Sequence, residues 1–267
     1  MFLKEIMERL TGRKFAAPRP LSSTTQSARE VRPQLIYDIG MHIGQDTAFY
    51  LAKGFDVVAI EANPLLAEEG KKKFASFIKD GRLRILNVGI GAAEGEFPFY
   101  VNETLSHWSS FDKEIATREG TFYEINVKCF KLEKILSEFG MPYYLKVDIE
   151  GADHLAIKSL YAFKERPIFV SVENGNGGLL ETLCDLGYSS FKFINQATIQ
   201  LHRCPFPPRE GIYVDYRFEH GASGLFGEET EGVWKSYKEV SVEINAYWNN
   251  PNRDPNIHGW FDLHAKQ

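Results

Sequence analysis

From residue 35 onward, short apolar runs alternate with longer amphipathic stretches, and this alternation constrains the fold more than any other feature of the chain. The apolar runs predict strands at 35–39, 56–61, 83–88, 143–148 and 168–173. The stretches between them predict helices at 46–53, 64–78, 132–139, 152–163 and 178–186. Strands that alternate with helices build a mostly parallel sheet covered on both faces. We therefore predict an α/β fold with a doubly wound sheet, whose edge is completed by 191–194 and 198–201.

Three segments are predicted along the chain. Residues 1–33 combine a short amphipathic helix at 2–11 with a linker rich in Pro, Ser, Thr and Arg. Residues 34–203 hold the alternation of strands and helices. Residues 204–267 lose this alternation and contain three of the four tryptophans, so we predict a loop-rich extension that packs on or near the binding site of the sheet domain.

Composition and charge exclude several classes of protein. The net charge of −5 gives no electrostatic reason to expect nucleic acid as a partner. No apolar run approaches the roughly 18 residues of a membrane span, so we predict no integral membrane segment. The three cysteines are widely scattered, which fits neither a disulfide framework nor a CxxC metal site. The first ten residues carry acidic side chains where a signal peptide needs an apolar core, and a cytoplasmic location is expected.

The first predicted strand runs into a turn with two glycines four residues apart, Gly40 and Gly44, directly after Asp38. Glycines let the backbone turn tightly and approach a ligand closely. The helix that follows, with Thr47 in its first turn, offers free N–H groups and a partial positive charge. These features predict a cofactor-binding turn.

The second predicted strand ends at Glu61, close to the spacing of about 20 residues at which an acidic residue meets ribose hydroxyls. Asn63 and Pro64 then form a good N-cap and first-turn pair for the next helix. His42 stands where the dinucleotide fingerprint G-x-G-x-x-G needs its second glycine, which disfavours NAD and FAD. A ligand with a ribose but no phosphate suits the turn better, and S-adenosylmethionine is the common one.

The run from Lys146 to Gly151 places Lys146, Asp148 and Glu150 at the end of a predicted buried strand. All three share one parity, so they point to one side while the strand lasts. Burying this much charge is costly unless the groups pair or face a wet cleft. In open α/β sheets, ligands bind outside the carboxyl ends of the strands. We therefore interpret this run as the floor of a site; a charge cluster that only caps the strand is the alternative.

Together these motifs resemble the FkbM-type methyltransferases, a branch of the Rossmann-like, class I S-adenosylmethionine-dependent enzymes. The resemblance covers about residues 35–200. It rests on Asp38-Ile39-Gly40, Glu61-Ala62-Asn63-Pro64, Asn87-Val88-Gly89, Ser109-Ser110 and Lys146-Val147-Asp148-Ile149-Glu150-Gly151. It implies a seven-stranded sheet with one antiparallel edge strand, and methylation of a hydroxyl, commonly on a carbohydrate or a polyketide-like product.

The resemblance also implies roles for single residues. Asp38 and Gly40 would face the methionine end of the cofactor, and Glu61 would hold the ribose diol. Asn87 and Gly89 would border the adenine. Asp148 would lie near the amino group of the cofactor and Glu150 near the acceptor. The sequence departs from the family pattern at His42, where Asn is frequent, and at Ala152-Asp153, where His-Glu is common.

Glu150 is the first candidate to orient the acceptor or remove its proton, because it ends the strand on the acceptor side. Lys146 would keep Asp148 and Glu150 ionised by pairing. His42 could touch the methionine carboxylate or serve as a base; otherwise it is a local hydrogen-bonding residue. His107, beside Trp108, could line the acceptor site.

The four tryptophans, Trp108, Trp234, Trp248 and Trp260, could stack a sugar ring or cover a sheet edge. The histidines form no metal-binding pattern. Asp148 and Glu150 could bind Mg²⁺ with another carboxylate, but acids two residues apart are common without a metal, and we predict none.

We therefore predict an S-adenosylmethionine-dependent O-methyltransferase with a glycan or small-molecule acceptor. The sequence leaves open whether the protein forms a homo-oligomer. The alternatives are an NAD(P)-dependent oxidoreductase and a non-catalytic cofactor-binding or scaffold protein.

Overall fold

The computed structural model describes residues 31–173, 178–254 and 259–267. The predicted N-terminal helix at 2–11 and most of the predicted linker lie outside the described residues. The strands are β1 (Val31–Ile39), β2 (Asp56–Ile60), β3 (Leu83–Leu86), β4 (Gly89–Ile90), β5 (Gly95–Asn102), β6 (Phe122–Phe130), β7 (Met141–Val147), β8 (Phe169–Glu173), β9 (Ser190–Asn195) and β10 (Phe261–Lys266).

Eight α-helices lie in the described ranges, and four short 3₁₀ helices accompany them. The α-helices are α1 (Gln45–Ala52), α2 (Pro64–Lys73), α3 (Ala75–Lys79), α4 (Lys113–Ala116), α5 (Leu132–Phe139), α6 (Asp153–Ser159), α7 (Gly178–Asp185) and α8 (Tyr237–Trp248). The 3₁₀ helices span Ser106–Trp108, Leu160–Ala162, Gln196–Leu201 and Gly227–Glu229. None of the helices described is both long enough and apolar enough to cross a membrane.

The main sheet has seven strands in the order β3–β2–β1–β7–β8–β10–β9. All neighbouring pairs from β3 to β8 are parallel, and β10 runs antiparallel to both β8 and β9. Successive residues of β1 enter different apolar clusters, because side chains alternate between the faces of a sheet. Tyr37 and Ile39 pack on one face, and Ile36 packs on the other. The predicted doubly wound, mostly parallel α/β sheet is confirmed.

The edge of the sheet differs from the prediction. The antiparallel strand is not at the edge: β10 lies between β8 and β9. It comes from the predicted C-terminal extension, where Asp262 and His264 are buried despite their polarity, so an apolar pattern could not reveal the strand. The predicted strand at 198–201 is wrong. Asn195 ends β9 and caps a 3₁₀ helix there, because its Oδ1 accepts the N–H of Ala197 at 3.0 Å.

The first strand begins inside the segment predicted as a linker. Val31 and Arg32 pair with β7, and the register then shifts between Arg32 and Ile36. Pro33 lies in this irregular stretch. A proline has no N–H to give to a sheet ladder and is tolerated at such a bulge.

A second sheet of three strands, in the order β4–β6–β5, is inserted between β3 and α5. Its strands β5 and β6 form a long antiparallel pair from Gly95–Cys129 to Asn102–Phe122. The loop between them carries the 3₁₀ helix with His107 and Trp108 and contributes to a wall of the cleft described below.

Candidate active site

A cleft of about 1180 Å³ opens at the carboxyl ends of the parallel strands of the main sheet. Its lining includes residues that follow β1, β2, β7 and β8 and residues at the start of β10. This is the edge at which open α/β sheets bind ligands. The volume exceeds that of a typical pocket for one small molecule, so the cleft has room for a cofactor and an acceptor together.

The turn after β1 lies against the loop after β7. Gly40 has a φ of +85°, and a Cβ atom added to it would lie 1.8 Å from the carbonyl oxygen of Asp148. The Asp148 N–H also donates to the Ile39 carbonyl at 3.0 Å. Only glycine allows this approach, which is why the turn can form the floor of the cleft.

Beneath this turn, the buried ammonium of Lys146 lies between three carboxylates. It lies 3.2 Å from Asp38, 3.6 Å from Asp148 and 3.8 Å from Asp46. It also donates a hydrogen bond to the Gly40 carbonyl at 2.8 Å. These acids hold the pKa of Lys146 well above its usual range, against the effect of burial. Lys146 therefore stays charged and ties the two turns together.

Glu61 is fixed at the end of β2 by two backbone donors. Its Oε1 accepts the N–H of Asn63, and its Oε2 accepts the N–H of His42, both at 2.8 Å. Burial raises the pKa of Glu61 to about 7, although both hydrogen bonds act in the opposite direction. Each oxygen keeps a lone pair for a ligand. Since Glu61 lines the cleft, it can accept hydrogen bonds from a diol.

His42 presents its backbone and its ring to different partners. Its φ of +51° is left-handed, which directs its N–H to Glu61. The ring Nε2 lies 2.8 Å from Oγ of Ser106, and the His107 ring stands edge-on at 6.4 Å. Burial, followed by the charge of His107, lowers the pKa of His42. His42 is therefore a neutral group in the cleft wall at neutral pH.

Several residues predicted to bind the cofactor lie outside the lining of the cleft. They lie behind the residues that line the cleft, and their polar groups form hydrogen bonds within the protein. Thr47 donates to Asp38 at 2.6 Å, and the Asn87 amide donates to the carbonyls of Glu61 and Ala62. Asn63 caps α2, and Gly44 packs against Phe74. The residues outside the lining are Asp38, Gly44, Thr47, Asn63 and Asn87.

The remaining predicted site residues do line the cleft. They are Gly40, His42, Glu61, Gly89, His107, Trp108, Lys146, Asp148 and Glu150. The structure thus brings the cofactor-side and acceptor-side candidates of the sequence into one cavity.

Glu150 occupies a strained position just after β7. Its φ is +45°, which is uncommon for a residue other than glycine. The loop is held in place because Asp153 accepts the N–H groups of Ile149 and Gly151, both at 3.2 Å, and Ser110 donates to the Glu150 carbonyl at 2.7 Å. Such strained residues cluster at functional sites.

Three carboxylates meet beside this loop. One oxygen from each of Asp148, Glu150 and Glu173 lies within 4.8 Å of the others. Burial and the neighbouring acids raise the pKa values of Glu150 and Glu173, so part of this group keeps a proton at neutral pH. A carboxyl with a pKa near the working pH is suited to proton transfer.

The C-terminal part of the chain closes the opposite wall. Asp46, at the start of α1, accepts the N–H of Ser223 at 2.9 and 3.1 Å and that of Gly224 at 3.4 Å. This holds the stretch 219–224 beside the cofactor turn, where His220 to Ser223 line the cleft. The predicted division at residue 203 stays a prediction, although both segments contribute to the same cavity.

Three tryptophans, Trp108, Trp248 and Trp260, line the cleft. Trp248 is covered by the guanidinium of Arg253, 4.2 Å from the centroid of the ring. Trp234 lies elsewhere: it stacks on Phe169 and donates to Glu228. Of the two roles weighed for the tryptophans, Trp234 therefore serves packing.

Sequence reasoning missed several groups of the cleft. Glu173 could have been noticed, because it ends a predicted strand at the ligand-binding edge. Asp262 could not, since its strand was not recognised. Arg118 and Arg253 lie in loops with no motif around them and line the same cavity.

The fold and this cleft define a Rossmann-like methyltransferase, whose class uses S-adenosylmethionine as the methyl donor. The methyltransferase FkbM domain matches residues 38–190. The chain belongs to the FkbM methyltransferase family. The resemblance seen in the sequence is thereby confirmed, and so is the predicted cofactor.

Solved structures with a similar chain path include methyltransferases of several kinds. Methyltransferase FkbM from Methylobacillus flagellatus KT is 15% identical with a TM-score of 0.35, over 57% of this chain and 34% of that one. Precorrin-6y C5,15-methyltransferase from Geobacter metallireducens GS-15 is 12% identical with a TM-score of 0.39, over 95% and 93%. The chain thus spans about a third of the length of the Methylobacillus protein. No curated protein sequence matches significantly.

Proposed function

We propose that this protein transfers a methyl group from S-adenosylmethionine to a hydroxyl of a glycan or a related small metabolite. The observation that carries the proposal is the position of Glu150, whose carboxyl faces the same cleft as the predicted ribose ligand Glu61. When bound, S-adenosylmethionine supplies an electrophilic methyl on a sulfonium centre.

On the cofactor side, Glu61 would accept hydrogen bonds from the two ribose hydroxyls, and Gly89 would border the adenine. The exposed face of Asp148, whose side chain is 38% accessible, would accept a hydrogen bond from the amino group. Gly40 would let the methionine end approach the backbone. Fixing the donor in this way aligns it for in-line displacement, which supplies several kcal/mol of the barrier.

On the acceptor side, Glu150 would orient a hydroxyl. In its ionised form, which its raised pKa of about 9 favours at alkaline pH, it would take the hydroxyl proton as the new C–O bond forms and the bond from methyl to sulfur breaks. A positioned base of this kind contributes about 10²–10⁴ in rate. The aromatic rings of Trp108, Trp248 and Trp260 support a sugar acceptor, because a ring face can stack on them. The acidic cleft also argues against a nucleic acid acceptor.

The experiment is a methyl-transfer assay with labelled S-adenosylmethionine and a panel of glycans and small hydroxylated metabolites. Glu150→Gln is expected to lower turnover at least a hundredfold and to keep the affinity for S-adenosylhomocysteine within about threefold, since it removes the base but not the cofactor site. Glu69→Gln, at an exposed acid outside the cleft lining, is the matched control and should retain full activity.

Two outcomes would contradict the proposal. Transfer to no acceptor by the wild-type protein, with intact binding of S-adenosylhomocysteine, would favour the non-catalytic binding protein. Binding of NADH without binding of S-adenosylhomocysteine would favour the oxidoreductase. A cytoplasmic location is part of the proposal and is supported by the free state of Cys129, Cys184 and Cys204. Whether the protein forms a homo-oligomer is answered by sedimentation of the same sample.

A further inference from the structure

The acidic groups at the ends of β7 and β8 have the spacing of ligands to one ion. One oxygen each from Asp148, Glu150 and Glu173 lies within 4.8 Å of the other two. Two oxygens bound to one cation are at most twice the metal–oxygen distance apart, which is about 4.8 Å for Ca²⁺ and about 4.2 Å for Mg²⁺. Separations within this limit are short enough for one ion to gather an oxygen from each of the three residues after small side-chain movements.

A fourth acid, on a different strand, faces the same place. Asp262 is the register partner of Glu173 in the antiparallel pair of β10 and β8. Its side chain lines the cleft, and the residue is only 7% exposed. Within the described residues, its carboxylate has neither a hydrogen bond nor an ion pair. A buried carboxylate without a partner is costly, so this arrangement indicates that a cationic group completes it.

The described residues bring too little positive charge to these acids. The Lys146 ammonium lies 3.6 Å from Asp148, but it also forms ion pairs with Asp38 and Asp46. Among the described residues, Arg118 also lines the cleft, but it forms no ion pair with these acids. Hard divalent cations prefer this all-oxygen, anionic set of ligands.

We propose that Asp148, Glu150 and Glu173 bind a divalent cation of the Mg²⁺, Mn²⁺ and Ca²⁺ class, with Asp262 as a fourth ligand or as the acceptor of a metal-bound water. Each carboxylate needs one oxygen for the ion, so the second oxygen of Glu150 stays free for the acceptor. From the sequence, only Asp148 and Glu150 were candidates and no metal was predicted; the fold adds Glu173 at the end of β8 and Asp262 from the unrecognised β10.

The position of the ion suggests a substrate class. A cation here would bind neighbouring hydroxyls of a sugar and lower the pKa of the one to be methylated. This second step rests on the proposed function, whereas binding of the cation does not.

The test is titration of the EDTA-treated full chain with Mn²⁺, followed by the electron paramagnetic resonance signal of free Mn²⁺. We expect one bound Mn²⁺ per chain, displaced by Mg²⁺ or Ca²⁺. Asp262→Asn and Glu173→Gln should each weaken binding about 10–100-fold. Glu69→Gln removes the same charge outside the cleft and should keep the affinity of the wild-type protein.

Two results would overturn the cation site: no saturable Mn²⁺ binding in the millimolar range, or equal affinity in the wild-type protein and both cleft variants. Binding of S-adenosylhomocysteine, measured by calorimetry on the same samples, shows that each variant is folded. It also separates the two proposals. Absence of Mn²⁺ binding in the wild-type protein, with intact cofactor binding, defeats only the cation site, whereas absence of cofactor binding in the wild-type protein defeats the proposed function.

Discussion

Asp38 and Lys146 are register partners in the parallel pair of β1 and β7, and their charged groups meet 3.2 Å apart. Neither side chain is more than 3% exposed. Register partners point to the same face of a sheet, so two residues more than a hundred positions apart form one buried ion pair directly below the cleft. The turn at Gly40 therefore depends on β7, the strand that leads into the loop with Glu150.

The first prediction concerns this ion pair. Lys146→Met leaves Asp38 buried without its cation, and removal of one partner from a buried pair costs about 3–5 kcal/mol. Urea unfolding should show this loss of free energy. The double variant Asp38→Asn/Lys146→Met should be less destabilised than the sum of the two single variants. Strict additivity in this cycle would mean that the two side chains do not stabilise each other.

A second prediction concerns the close approach of the backbone at Gly40. Gly40→Ala places a Cβ 1.8 Å from the Asp148 carbonyl, so the two turns must separate and the affinity for S-adenosylhomocysteine should be lost. Gly81 is the matched control: its φ of +76° is similarly left-handed, but an added Cβ meets nothing within 4 Å. Gly81→Ala should cost only about 1–2 kcal/mol of stability and leave binding unchanged. Equal effects of the two variants on binding would contradict the account.

The third prediction concerns the pH dependence of cofactor binding. Burial raises the pKa of Glu61 to about 7, so at pH 6 the carboxyl is largely protonated and at pH 8 it is ionised. In the proposed site the ionised form would accept two ribose hydrogen bonds, and the affinity for S-adenosylhomocysteine should therefore rise across this range. The Glu61→Gln variant should bind S-adenosylhomocysteine more weakly than the wild-type protein. Its affinity should also rise less between pH 6 and pH 8, because the amide does not ionise. Calorimetry at both pH values measures these affinities. An equal increase in affinity in the variant would show that groups other than Glu61 cause the pH dependence.

The raised pKa of Glu61 also makes the stability of the ligand-free protein depend on pH. The folded pKa of Glu61 lies above the value of 4.5 for the free side chain, so the native state binds more protons between about pH 4.5 and 7. Its contribution to the free energy of unfolding is therefore fully present below pH 4.5 and is lost as pH rises through 7. The difference in stability between the wild-type protein and Glu61→Gln, measured by urea unfolding, should shift in this direction.

A fourth prediction concerns the C-terminal wall. Asp46 accepts backbone hydrogen bonds from Ser223 and Gly224, and hydrogen bonds to a charged group contribute about 1.5–3 kcal/mol. Asp46→Ala should speed amide hydrogen exchange at 221–225 by about tenfold or more. Asp112→Ala removes another carboxylate that accepts a backbone N–H, from Glu114, and should leave this stretch unchanged. Unaltered exchange in Asp46→Ala would show that other contacts hold the wall.

Most of the main sheet could be predicted from the sequence, because its parallel strands are buried on both faces and read as apolar runs. The run from Lys146 to Glu150 could be placed at a ligand-binding edge for the same reason, since its charges interrupt such a strand. β10 could not be predicted: its Asp262 and His264 are buried polar residues, and only the fold shows which strands they meet.

The candidate site likewise contains residues that could be predicted from the sequence and residues that could not. The place of Glu61 in the cleft lining was predictable from its distance to Gly40 along the chain. The roles of Asp38, Thr47 and Asn87 were not, because their hydrogen bonds to other parts of the protein depend on strand register and loop geometry. Sequence spacing identified the right region but did not distinguish residues that line the cleft from residues that support it.

A crystal structure with S-adenosylhomocysteine would test the proposed cofactor site most directly. We expect the ribose hydroxyls within hydrogen-bonding distance of Glu61, the adenine beside Gly89 and the sulfur directed toward Glu150. A ligand bound at the far end of the cleft, beside Arg253 and Trp248 with Glu61 free, would contradict this expectation.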